Sequence, residues 1–259
     1  MRRTEEGRAE EMQYTIRPLI ISKYNLKKGD MTHRLFYGER YWAPDVAWYI
    51  EGADRTILVD TSMSAKVAKK YTETPVEDLI SFEDALASVG RRPEEIDLII
   101  QTHLHVDHCG HIAKCKNATV MVQKAELDCA LAPHPSFAAD YDRELLRDSR
   151  LLPIEGNQEI IPGIDVIFVP GHTPGSQAVS IQTAKGRAII SGFCACHETF
   201  FPPVPKLQWG KDTLGPVVAP GTFVDAIQAY NSVLKIKGMA DILLPNHDVA
   251  IFEKKTIPE

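Results

Sequence analysis

The chain has 259 residues, 44% of them hydrophobic and 25% charged, with 29 Lys and Arg against 35 Asp and Glu for a formal net charge of −6. That balance excludes a disordered chain, a collagen-like fibre and a small disulfide scaffold, and it offers no electrostatic footprint for nucleic acid or anionic lipid. No apolar run approaches the roughly 20 residues that span a bilayer, and the opening MRRTEEGRAEEM has no apolar stretch, so a cytoplasmic protein is expected.

Residues 1–11 read as a solvated lead-in and 12–259 as a single domain. No element is assigned before about 46, where VAWYIEG and TILVD, separated by the polar turn at Ala53–Arg55, read as a β-hairpin. Two helices are predicted next, over 64–71 and 76–89, the second carrying Val76, Leu79, Ile80 and Leu86 at helical spacing and stopped by Gly90. The apolar run DLIIQT reads as a buried strand, followed by a His-rich loop over 102–111, a strand over 118–123 and a helix over 124–130. Residues 131–150 read as an inserted helical segment. DVIFVP, AVSIQT and RAIISG read as strands, and 193–221, with five prolines and no period, as a long loop. Thr222 is the expected cap of a closing helix over 223–237, and DILLP is the last strand. Strands interleaved with helices in two similar halves predict an α/β protein with two sheets packed face to face and helices outside. The five cysteines, Cys109, Cys115, Cys129, Cys194 and Cys196, form no CxxC pair and are expected to be reduced thiols.

The chemistry is concentrated in Thr102-His103-Leu104-His105-Val106-Asp107-His108, directly after an apolar strand. Alternation puts His103 and His105 on one side of an extended segment, and the turn that follows can aim Asp107 and His108 elsewhere, so one loop can serve two cations. Imidazole and carboxylate donors suit zinc, and also iron, manganese or cobalt. His172 in PGHTPGS and His247 in PNHD each follow an apolar strand in a Pro- or Gly-rich turn, which makes them further candidate ligands.

HLHVDH, PGHTPGS and NHD together resemble the metallo-β-lactamase fold superfamily, with TILVDTS resembling its early strand ending in a structural carboxylate, here Asp60. Within it, AWYIEG and the spacing resemble the N-acyl homoserine lactonase group. The resemblance implies a four-layer αββα sandwich holding one or two divalent cations, zinc first and iron or manganese allowed. His103, His105 and His172 would hold one; Asp107, His108 and His247 would hold the other. The implied activity is opening of a lactone, or a related cyclic ester or amide, by hydroxide generated on the metal. Asp107 would orient that hydroxide and carry a proton to the leaving alkoxide.

One departure stands out. The lactonases place a bridging Asp after the strand that here reads RAIISG, and a Tyr shortly after it. This chain has Phe193 at the Asp position, then Cys194, Ala195, Cys196, His197 and Glu198, with no Tyr. Phenylalanine cannot ligate. A subclass of zinc β-lactamases uses a Cys near this position, so Cys194 is a candidate ligand, with His197 and Glu198 as further replacements. A small-molecule substrate would meet an aromatic wall, for which Phe36 and Trp42 (with Tyr37 and Tyr41) and Phe193 and Phe200 (with Phe201 and Trp209) are candidates; the first group could equally cover the sheet or sit in a homodimer interface. Rival readings are a thioester hydrolase of the same superfamily, a thiol dioxygenase with one iron, and a non-catalytic metal-binding protein.

Overall fold

The computed structural model describes residues 13–203 and 215–259. The expected lead-in at 1–11 and Trp209 lie outside them. Among the described residues, twelve strands form two sheets. The larger runs β4-β1-β2-β3-β5-β6-β7 and the smaller β12-β11-β10-β9-β8. Their ranges are β1 Thr15–Lys27, β2 Arg40–Glu51, β3 Ile57–Val59, β4 Val76–Asp78, β5 Leu98–Ile100, β6 Thr119–Gln123 and β7 Arg150–Ile154 in the first. In the second they are β8 Gln158–Ile161, β9 Ile164–Phe168, β10 Gln177–Thr183, β11 Gly186–Ile190 and β12 Ile242–Leu244.

Alternation along the strands builds the layers. Val46, Trp48 and Ile50 of β2, Ile57 and Val59 of β3, and Leu98 and Ile100 of β5 face inward against Val166, Val179, Ile181 and Ile190 of the second sheet. The residues between them, Ala47, Tyr49, Leu58 and Ile99, point to the opposite face and pack under Phe82, Ala85 and Leu86 of helix α2 (Phe82–Ala87). On the far side, Ile167, Val169, Ala178 and Ile189 pack under Val233 and Ile236 of helix α6 (Ala226–Met239). The expected αββα order follows, because each sheet carries apolar residues on both faces and each face needs a cover. No helix among the described residues is long and apolar enough to cross a membrane. All five cysteines are free, as expected.

The hairpin is where the pattern placed it, with Trp48 opposite Val59. Several other expectations are corrected. The first strand is β1, a thirteen-residue element in a stretch given no assignment; the available signal is its density of apolar and β-branched residues, Thr15, Ile16, Leu19, Ile20 and Ile21. The helix expected over 76–89 divides: Val76–Asp78 pairs with β1 as an edge strand, and the helix begins only after Ser81, whose hydroxyl accepts the Asp84 N–H at 3.0 Å. The helix over 64–71 shortens to α1 (Ala65–Ala68). Within 131–150 only two 3-10 turns form, Ala138–Asp140 and Arg143–Leu146, before β7, which pairs parallel with β6. Among the described residues of the loop after β11 there is one helical turn, α5 (His197–Phe200). The cap of α6 is Asp225, not Thr222: its carboxylate accepts the Ile227 and Gln228 N–H groups at 2.9 Å.

Candidate metal centre

Strand ends deliver every donor. β5 runs into Gln101–His105, and the one-turn helix α3 (Val106–Cys109) then carries Asp107 and His108. β9 leads to His172 and β12 to His247, while Tyr24 comes from β1. The turn before His172 needs its glycine: Gly171 has φ +123°, and a Cβ there would lie 2.1 Å from the Ala229 backbone nitrogen at the start of α6.

The side chains converge as two groups of donors, His103, His105 and His172, and His103, Asp107 and His108, each set lying within 4.8 Å. The His172 and His103 Nε2 atoms are 3.3 Å apart. His247 approaches the second group from the other side without belonging to it, its Nε2 3.9 Å from the Asp107 carboxylate, which is 3.6 Å from His108 Nε2. Six residues separated by up to 144 positions (247 − 103) thus share one pocket, with all five imidazoles buried.

The hydrogen bonds around these rings show whether the pocket fits a cation. His172 Nδ1 faces the Thr222 carbonyl at 2.8 Å and must donate, leaving the Nε2 lone pair free. His108 Nδ1 donates to Asp60 Oδ2 at 2.7 Å, and its Nε2 is a buried polar atom without a partner. Thr102 Oγ1 donates to Asp60 Oδ2 at 2.7 Å and therefore accepts from His103 Nδ1 at 3.2 Å. In all three rings Nδ1 is engaged by an acceptor of the protein, which turns Nε2 inward. That is the arrangement of metal-ligating histidines fixed by an outer shell of acceptors. Divalent cations fit.

Asp60 is the hub of that shell. It sits at φ +56° directly after β3 and also accepts the Thr102 N–H at 2.7 Å, the Gln101 amide at 3.1 Å and the Asn246 amide at 3.2 Å. A second hub, which sequence reasoning missed, is Glu126 in the first turn of α4 (Lys124–Leu131). Its carboxylate ties Leu104 N–H (3.0 Å) to Thr173 Oγ1 (2.5 Å) and Gly175 N–H (3.1 Å), joining the two His loops. Burial raises its pKa against the pull of these donors.

Electrostatics follow from crowding. Burial and neighbouring imidazoles hold His103 and His105 well below the usual histidine value, and burial pushes His172 and His247 down to about 4. These rings are neutral at neutral pH, as ligands must be. His108 runs the other way: burial lowers it, but Asp107 and Asp60 outweigh that and raise it to about 9, so a cation binding at Nε2 must displace a proton there. Asp107 is kept ionised, the penalty of burial being overcome by His108, His247 and His105.

The other candidates separate. Cys194 lines a cavity of about 140 Å³ beside Asp107, Tyr24 and His105, yet its thiol belongs to neither donor group. Glu198 is paired with Lys28 and accepts the Cys196 thiol at 3.2 Å, and the His197 ring stacks on Phe201 at 4.9 Å, so neither replaces the missing carboxylate. Phe193 and Phe200 are fully buried beneath α6, ring centroids 6.2 Å apart, and neither lines the cavity beside Asp107. Phe36 and Trp42 lie under the Lys28 and Lys23 ammonium groups, and neither lines the cavity. Its wall includes Leu26, Met31, Asp30 and Asp140 instead. Tyr24 was also missed. Its hydroxyl donates to Asp107 Oδ2 at 2.8 Å and touches His247 Nδ1 at 2.8 Å.

Residues 40–192 match the family model of the metallo-beta-lactamase superfamily. The chain belongs to that superfamily. It is a metallo-hydrolase similar to the lactonases: an N-acyl homoserine lactonase of a Bacillus species is 31% identical over 187 residues, covering 65% of this chain and 71% of that protein. The metallo-β-lactamase fold is shared with Bacillus thuringiensis AiiA, whose structure has N-decanoyl-L-homoserine bound at the active site (TM-score 0.75, 23% identity, 95% of this chain and 98% of that one). It is shared too with AidC, a dizinc quorum-quenching lactonase in complex with a homoserine product (TM-score 0.57, 19% identity, 81% and 74%).

Proposed function

We propose that this metallo-hydrolase opens lactones with two divalent cations, N-acyl homoserine lactones being the substrate class its relatives point to. The observation that carries the reading is a pair of donor groups sharing His103, next to a cavity walled by Asp107. His103, His105 and His172 would hold one cation, and Asp107, His108 and His247 the other. Zinc suits these donors best, and iron or manganese would also be accepted. When bound, such cations polarise a carbonyl and bring the pKa of water from 15.7 to about 7.

The chain's own residues do the rest. Asp60 and Thr102 hold His108 and His103 in the ligating tautomer. Leu26, Met31 and Val106 give the cavity an apolar side on which a tail can lie. The Asp107 carboxylate, ionised and facing the cavity, accepts the proton of the attacking water and returns it to the ring oxygen as the ester C–O bond breaks. The alkoxide stays tethered, so the product is a hydroxy acid. Two donor groups, one containing the unpartnered His108 Nε2, favour this reading over a single-iron dioxygenase.

The test is ring opening by the metal-loaded protein, followed as proton release with lactones of graded tail length and a thioester control. Turnover of lactones that disappears on chelation is expected. Full metal loading with no lactone opened would overturn the proposal.

A further inference from the structure

The resemblance to the lactonases implies a carboxylate joining the two donor groups at position 193, and the Phe193 that stands there is turned into the core. Three protein donors remain for that cation, Asp107, His108 and His247. A fourth polar atom lies among them. Tyr24 Oη is 2.8 Å from Asp107 Oδ2, and it stands 2.8 Å from Nδ1 and 3.3 Å from Nε2 of His247, while Asp107 Oδ2 is 3.6 Å from His108 Nε2 and 3.9 Å from His247 Nε2. Donors about 2.0 Å from a tetrahedral cation lie about 3.3 Å from one another. These four of the six separations among the donors straddle that value. Cys194 and His247 both lie outside the two compact groups, but only His247 has a donor atom placed against Asp107, at 3.9 Å.

The tyrosine is also held for such a role. It is 5% exposed, and β1 is anchored at this point on both sides, Tyr24 pairing with Ala43 of β2 and Val76 of β4. Its ring packs with Met63 and Val106, and stands edge-on to His247 at 5.5 Å. The independent mark of a missing partner is His108 Nε2, buried and unbonded on the same pocket.

We infer that Tyr24 is a ligand of the second cation, its phenol oxygen supplying the anionic oxygen donor that Phe193 cannot. On binding, the O–H proton leaves to solvent and the metal–oxygen bond replaces it. A first-row cation that accepts mixed oxygen and imidazole donors, iron or zinc, is the class that fits. This inference rests on the two-cation reading of the site but not on the identity of the substrate.

Spectroscopy and stoichiometry test it without any turnover assay. The full chain loaded with ferric iron should show a visible phenolate-to-iron charge-transfer absorption, with tyrosinate vibrations enhanced on excitation into it. Tyr24→Phe, which keeps the ring and its packing, should lose that band and bind one cation per chain where the native protein binds two. An iron-loaded native protein with no such band overturns the inference even if Tyr24→Phe fails to fold. So does a Tyr24→Phe protein that keeps two cations. Lactone opening measured in parallel separates the two ideas: band present with no lactone opened leaves the ligand standing and removes the substrate.

Discussion

The Glu126 carboxylate accepts the Gly175 backbone N–H at 3.1 Å, and a Cβ on Gly175 would sit 2.2 Å from the Glu126 backbone nitrogen. A helix start and a loop glycine on opposite sheets are in direct contact, and that contact sets how far His172 stands from the HLHVDH segment. Glu126→Gln replaces an acceptor by an amide that faces two donors, Thr173 Oγ1 and the Gly175 N–H. A loss of about 2 kcal/mol is expected in urea unfolding, together with weaker metal retention. Gly175→Ala should act in the same direction, because its obstacle is backbone. Unchanged stability in both would show that the two loops are positioned by something else.

Asp60 is fully buried and does not line the cavity, so Asp60→Asn should leave the substrate wall alone and act through the rings it orients. Both carboxylate oxygens accept from donors, Oδ2 from His108 Nδ1 and the Thr102 hydroxyl and Oδ1 from the Thr102 N–H and the Gln101 amide, so an amide in either orientation opposes donors and weakens the hold on the rings. Metal affinity should fall about 10–100-fold, read by competition with a chromogenic chelator. Equal affinity in variant and native protein would remove Asp60 from the outer shell.

Phe193→Asp installs the carboxylate that the resemblance to the lactonases implies at this position. Because the ring is 1% exposed and packed against Phe200, the new carboxylate would enter an apolar core instead of the metal pocket. Destabilisation of about 4 kcal/mol is expected from the lost ring and the buried charge combined, with no gain in bound metal. A stable variant with tighter metal binding would mean that the loop after β11 can turn over.

Chelation should lower the melting temperature, since imidazoles and carboxylates assembled for cations lose the partner that compensates their burial. Restoring a cation at a hundred times its dissociation constant returns about 2.7 kcal/mol. Zinc, iron and manganese added singly to the stripped protein, with melting followed by calorimetry, would rank them. A melting temperature indifferent to all three would speak against a metal centre.

Much of the site was legible because its donors sit in short, dense motifs. Four ligand-type residues within six positions announce a metal loop whatever surrounds it, and His172 and His247 are marked by turns after apolar strands. The hubs were not legible. Glu126 reads as an ordinary acid of an amphipathic helix start, and only the approach of Thr173 and Gly175 from the other sheet reveals it as buried. β4 looked helical because Val76, Leu79 and Ile80 satisfy a 3.6-residue period as well as they do an edge strand, and pairing with β1 decided between them.

The amino-acid sequence by itself determined the layer order and the six candidate ligands, since alternation and motif spacing are local properties of the chain. The tertiary structure alone decided which aromatic residues are core, which carboxylates are buried, and that a tyrosine from β1 meets Asp107 and His247. Those outcomes depend on contacts between residues up to 223 positions apart, and no local pattern encodes which side chains meet across such a distance.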